Sequence, residues 1–197
     1  MKIYITDTTE IGKKCAGWAK GNLPAGVEMA ERMEDSEIFF SVFYNKLISE
    51  EFIAGRKKCF NFHGGVLPEY RGSGTLNWAI INCEKETAVT LHEIDAKIDH
   101  GPVIDIRRFP IRENDTANTV YKKMEDLIFE MFKDWFVRLI ALDYTATPQD
   151  HSKARLYSRK DLQEAKDLTR FVRAFTFEGK ENAFYVNSKG EKKILEY

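Results

Sequence analysis

Short runs of strand-forming residues punctuate the first half of this chain, and they limit its fold more than any other feature. Lys2–Thr6 (KIYIT) and Glu37–Phe43 (EIFFSVF) are rich in β-branched and aromatic residues, the second with the continuous apolarity of a buried strand. Val27–Met33, Cys59–His63, Thr87–Ile94 and Val103–Phe109 read the same way. Helical stretches lie between them. Asp7 and Glu10 have capping-box spacing ahead of a helix that runs through Cys15 to about Lys20, and Thr75–Asn82 predicts another. Strands alternating with helices predict an α/β fold: a mainly parallel sheet with helices on its faces.

The second half has a different pattern. Asp115 or Thr116 can cap a long helix over Ala117–Leu142, in which Val120, Met124, Leu127, Met131, Trp135 and Leu139 recur every three or four residues as a core-packing stripe. Beyond Pro148 the chain turns polar. Asp161–Lys166 predicts a further helix, and AFYVN and EKKILEY flank SKG as the strands of a terminal hairpin. The expected organisation is one domain over 1–142 and a C-terminal extension over 143–197, packed on the same domain.

Charge and composition narrow the function classes. Thirty Lys and Arg against 31 Asp and Glu leave a net charge of -1, so bulk electrostatics point to no nucleic-acid partner. No apolar run approaches the roughly 18–20 residues of a membrane span, and the first residues do not read as a signal peptide. Cys15, Cys59 and Cys83 are odd in number and lack zinc-site spacing, which fits a reducing, cytoplasmic setting.

Asn61–Gly72 (NFHGGVLPEYRG) is the most informative stretch. On a strand Asn61 and His63 share a face, and Gly64-Gly65 would let a ligand approach the backbone. An amide that polarises a carbonyl beside an imidazole that shuttles a proton suits acyl transfer; a hydrogen-bonded structural histidine fits the same spacing. Asp95 and Asp99 lie in a loop between two strands, where a carboxylate can orient an imidazole, hold a water or simply cap a turn. His92 reads as a sheet side chain. His92, Asp95, Asp99 and His100 are near in sequence, but they have no recognised zinc spacing, and no metal is expected.

In order, NxH, LPxYRG, a Trp-Ala-Ile helix, ETAVTLHEID and DHGPVI resemble the folate-dependent formyltransferases over about Phe39–Phe109. The resemblance implies the Rossmann-like fold of that family, with 1–142 as the catalytic domain. Only 36 residues precede the strand that begins at Glu37, so the N-terminal part of the sheet is expected to be shortened. It implies N10-formyltetrahydrofolate as co-substrate, an amine acceptor, and Asn61, His63 and Asp99 as the catalytic trio. Phe43, Tyr44, Leu47, Ile94 and Ile98 would line the folate pocket, and Tyr70, Arg71 and Trp78 would face the acceptor.

Among acceptors, SVFYNKLI, LNWAI and the tail DHSKARLYSRKDL are most similar to the enzymes acting on dTDP- or UDP-linked amino sugars. A methionyl-tRNA acceptor would call for a basic surface, and glycinamide ribonucleotide for a Gly-rich phosphate loop; Asp7-Thr8-Thr9-Glu10 follows the first strand instead. The alternatives are transfer to glycinamide ribonucleotide or another amine, hydrolysis of the formyl folate, and a non-catalytic folate-binding module. A homodimer through the C-terminal segment follows from the family's habits.

Overall fold

Eleven elements follow one another through the first two thirds of the chain: β1 (Lys2–Ile5), α1 (Glu10–Lys20), β2 (Glu28–Met29), β3 (Ile38–Val42), α2 (Glu50–Ala54), β4 (Lys58–Gly64), β5 (Arg71–Gly72), α3 (Thr75–Ile81), β6 (Glu86–Glu93), β7 (Val103–Pro110) and α4 (Ala117–Ile140). After them come β8 (Leu156–Tyr157), α5 (Leu168–Phe175), β9 (Phe184–Val186) and β10 (Lys192–Ile194). The computed structural model describes residues 1–44, 46–158, 168–180, 182–186 and 191–195. The helix expected at Asp161–Lys166 and the turn of the terminal hairpin lie outside these residues, whereas β9 and β10 pair antiparallel as expected.

The central sheet has the order β2-β1-β3-β4-β6-β7. β2, β1, β3 and β4 are parallel neighbours; β6 is antiparallel to β4, and β7 to β6. The mainly parallel, helix-flanked sheet is therefore present, with an antiparallel arm that strand periodicity does not distinguish. A loop of residues 94–102 joins β6 to β7 without a crossover helix, and a direct connection of this kind requires antiparallel strands. Between β2 and β3 the crossover holds a 3-10 turn at Met33–Asp35.

Local chemistry explains the element ends. Thr9, not Asp7, caps α1, its Oγ1 accepting the Gly12 N–H at 3.1 Å. A Cβ on Gly12 would run into the Thr6 carbonyl, so this glycine lets α1 sit close on the end of β1. Thr116 caps α4 in a reciprocal box with Thr119. α2, capped by Ser49, is not signalled by hydrophobic spacing, since it is five residues long and buries none of them; α5, not predicted above, does carry that spacing in Leu168, Phe171, Val172 and Phe175.

All five residues of β3 are buried, as a strand covered on both faces demands. On one face Phe40, Phe60 and Phe62 meet Phe132 and Phe136 of α4, and Trp18 of α1 closes the cluster edge-on. The buried stripe of α4 is Val120, Met124, Ile128, Met131, Phe132, Phe136 and Leu139; Leu127 and Trp135 lie at its margin. Phe132 touches rings from both flanking elements. Phe132→Ala should cost about 3–5 kcal/mol of folding stability, read as a lower denaturant midpoint at unchanged slope.

Candidate active site

Strand register assembles the site. Ser41, Asn61 and His92 are directly opposite one another on β3, β4 and β6, so their side chains form one polar row on the face away from the aromatic cluster. His63, two residues along β4, lies opposite Thr90 on the same face. The 94–102 loop then folds back over this row and delivers Asp99.

Asp99 adopts the left-handed region, with φ 46°. That conformation is uncommon outside glycine and tolerated best by Asp and Asn. Its side chain is 12% exposed, with Oδ1 and Oδ2 each 3.5 Å from a histidine nitrogen, His92 Nε2 and His63 Nδ1 respectively. Oδ2 accepts from the Gly72 N–H at 2.8 Å, and Oδ1 from Asn61 Nδ2 at 3.3 Å. Burial pushes the carboxyl pKa up. The charge of His63 and the hydrogen bond from the Gly72 N–H outweigh it, and hold the group well below the usual carboxylate range.

The partners settle most of the proton positions. His92 Nδ1 is 2.7 Å from the Glu93 carbonyl, so Nδ1 carries the hydrogen and Nε2 accepts from Asn61 Nδ2 at 3.1 Å. Asp99 Oδ1 only accepts, which fixes the Asn61 amide with its N–H groups towards His92 and Asp99 and its Oδ1 towards Ser41 Oγ, which donates to it at 2.7 Å. His63 Nε2 donates to the Tyr70 carbonyl at 2.7 Å, leaving Nδ1 as the nitrogen that faces Asp99. Proton transfer at His63 is thereby confined to Nδ1.

The two glycines after His63 serve the protein's own packing. A Cβ on Gly65 would fall 2.8 Å from His63 Nε2 and 2.9 Å from the Tyr70 carbonyl oxygen, inside the hydrogen bond that orients the imidazole. On Gly64 it would fall 2.5 Å from Met124 Sδ and 3.3 Å from the Phe43 ring. The expected ligand approach is therefore replaced by protein atoms at both positions.

The remaining sequence-assigned residues fall into two groups. Phe43 follows β3 with φ 50° and packs its ring edge-on to Tyr121; Tyr44 packs on Phe39, and the Ile94 N–H donates to the Cys59 carbonyl at 2.8 Å. Leu47 is 83% exposed and Ile98 45%, two large apolar side chains on the segments that follow β3 and β6. Tyr70, Arg71 and Trp78 all engage the segment after α4. Tyr70 is buried and stacks on Tyr157 at 4.8 Å, Arg71 is buried against Gln149 and His151, and Trp78 Nε1 donates to the Ser158 carbonyl at 3.1 Å. A groove of about 630 Å³ lies beyond Tyr70, lined by Glu69, Glu84, Arg108, Arg155 and Tyr157 among others, and none of the trio lines it.

His92 is the functional neighbour that sequence reasoning missed. It is 2% exposed and touches both Asn61 and Asp99. Its signal was available, because Thr90 and His92 repeat on β6 the two-residue polar spacing of Asn61 and His63. Asp95 and His100 pair with each other at 2.6 Å, apart from Asp99, and no group of three or more metal-ligating side chains occurs among the described residues.

The sequence model of one family, described as formyl transferase, matches residues 19–134. Among solved structures, the chain is similar to a sugar N-formyltransferase from a Shewanella species, with TM-score 0.87, 18% identity and coverage of 100% of this chain and 97% of that one. It is also similar to an N-formyltransferase from Helicobacter canadensis solved with folinic acid and dTDP-3-aminofucose (TM-score 0.75, 24% identity, 89% and 80% covered). A third, the sugar 3N-formyl transferase WlaRD with dTDP and 5-N-formyl-THF, has TM-score 0.75 and 26% identity over 90% of this chain and 80% of that one. Among the described residues no helix is long and apolar enough to cross a membrane.

The lowered pKa of Asp99 links its surroundings to stability. A carboxyl depressed on folding stabilises the native state above its unfolded pKa of about 3.9, and the contribution is lost as pH falls towards the folded value. Asp99→Asn, which keeps the left-handed preference, should therefore flatten the loss of stability between about pH 4 and pH 2 in a denaturation series.

Proposed function

The chain belongs to the formyl transferase family, and from that premise we propose that it moves a formyl group from N10-formyltetrahydrofolate to the amine of a nucleotide-linked amino sugar. The observation that carries this reading is the convergence of Asn61, His63 and Asp99, drawn from β4 and the 94–102 loop, into one hydrogen-bonded cluster. The amino-sugar acceptor is supported by the names of the structural relatives.

In this mechanism the neutral acceptor amine attacks the formyl carbon. A C–N bond forms, the carbonyl π pair moves to oxygen, and a tetrahedral intermediate results. Asn61 donates an N–H to that oxygen. Its weaker internal contact, 3.3 Å to Asp99 against 3.1 Å to His92, is the one the substrate exchanges. His63 protonated at Nδ1 adds positive charge beside the same centre. Asp99, held as the carboxylate, orients the His63 imidazolium and a water that relays the amine's proton towards N10. Proton delivery to N10 as its bond to carbon breaks then releases tetrahydrofolate.

Phe43, Tyr44, Leu47, Ile94 and Ile98 fit a wall for the flat folate ring, because Leu47 and Ile98 keep apolar surface on the segments beside the trio. Tyr70, Arg71 and Trp78 act on the acceptor side by holding the 147–158 segment that backs the Asp99 loop. All three reacting side chains come from one chain, and a homodimer through the C-terminal segment is part of this reading.

The test incubates the purified protein with N10-formyltetrahydrofolate and a panel of dTDP- and UDP-linked amino sugars, with glycinamide ribonucleotide and no acceptor as controls. Mass spectrometry should find a sugar product heavier by one formyl unit. Folate turnover without any acceptor would instead make it a hydrolase. Asn61→Ala and His63→Ala should each lower kcat about 100- to 1000-fold, and near-normal turnover in either folded variant would sink the mechanism.

A further inference from the structure

Asp99 is gripped at its carboxylate by Gly72 and Asn61, and independently at its backbone by Gln149, a residue 50 positions away. Gln149 is 8% exposed, and both ends of its amide are used. Nε2 donates to the Asp99 carbonyl at 3.0 Å and to the Gly101 carbonyl at 2.7 Å. Oε1 accepts from Arg71 Nε at 3.2 Å and from Arg71 Nη2 at 2.7 Å. A guanidinium only donates and a peptide carbonyl only accepts, so the amide can take one orientation.

We propose that Gln149 is a positioning residue for Asp99: its amide clamps the 99–101 turn so that the left-handed Asp99 keeps its carboxylate against Asn61, His63 and His92. The inference rests on the part given to Asp99 above.

The turn needs such a clamp. Asp99 occupies a costly backbone conformation, and the loop before it, Ala96–Ile98, is exposed and buries little that could hold it. Gly101 lies so close on β6 that a Cβ would run into the Glu93 carbonyl, which fixes where the turn ends but not where Asp99 points. The segment carrying Gln149 has other anchors. Thr147 and Val103 exchange backbone bonds of 2.8 and 2.7 Å, and Arg71 Nη2 also reaches His151 Nδ1 at 2.7 Å. Loss of the Gln149 amide therefore leaves its own segment attached, while the Asp99 and Gly101 carbonyls lose their partner.

Two full-length variants test this. Gln149→Met keeps the length of the side chain without the amide; Gln149→Glu keeps the contact with Arg71 and removes the donors, and serves if the first does not fold. Either should lower kcat about 10- to 100-fold, with KM for both substrates little changed. Acting through Asp99, Gln149→Met should add almost nothing to Asp99→Asn in the double variant. Carboxyl carbon NMR of labelled aspartate should find Asp99 titrating at higher pH in Gln149→Met than in the wild type. A kcat within about threefold of wild type, or losses that multiply in the double variant, would overturn the proposal. If the wild-type protein transfers no formyl group, the reaction fails but the NMR comparison still decides: an unchanged Asp99 titration rejects the clamp.

Discussion

A carboxylate that is 12% exposed must be matched by donors, and the way Asp99 is matched organises much of this molecule. An unpaired buried charge is costly enough that proteins either neutralise or surround it. Here it is surrounded: a peptide N–H from β5 and an amide and an imidazole from β4 converge on two oxygens. The surroundings more than offset the penalty of burial, since the carboxyl is held below its ordinary range.

That requirement reaches far along the chain. Gly72 can point its N–H at Asp99 because Arg71 and Gly72 are fixed as a strand, paired with Leu156 and Tyr157 of β8. The same Arg71 sends its guanidinium to Gln149, so one dipeptide links the carboxylate, the loop backbone and the segment that returns after α4. The aromatic side of the sheet does unrelated work: Phe60 and Phe62 alternate with Asn61 and His63 on β4, and α4 buries them against Phe132 and Phe136. A single strand thus carries core and chemistry on opposite faces, through its two-residue period.

How much of this was legible in the sequence follows from the range of each interaction. The strands, the α4 stripe and the shared face of Asn61 and His63 depend on period, which a sequence displays directly. Asp99 could be singled out only by resemblance, because nothing in its own neighbourhood distinguishes it from a turn aspartate. His92 was passed over because its importance depends on register: only when β6 pairs with β4 does it stand opposite Asn61. Arg71 and Gln149 are 78 residues apart, and no local pattern announces such a contact. The glycines were misjudged for a related reason, since an empty position on a strand does not say whether ligand or protein will fill it.

The resting site is close to saturated, and this bears on how it can work. Asn61 has its oxygen and both N–H groups engaged, His92 has both nitrogens engaged, and His63 has Nε2 committed to a carbonyl. An incoming carbonyl oxygen must therefore exchange with an existing partner, which costs little when one hydrogen bond replaces another. The longest of these contacts joins Asn61 to Asp99. Its exchange does two things at once: it aims an N–H at the oxygen where negative charge develops, and it frees a carboxylate lone pair for the water that relays the amine's proton. Catalysis needs interactions that strengthen on the way to the transition state. A site that spends its donors internally until substrate arrives meets that condition without holding an unpaired charge or an empty donor in the meantime.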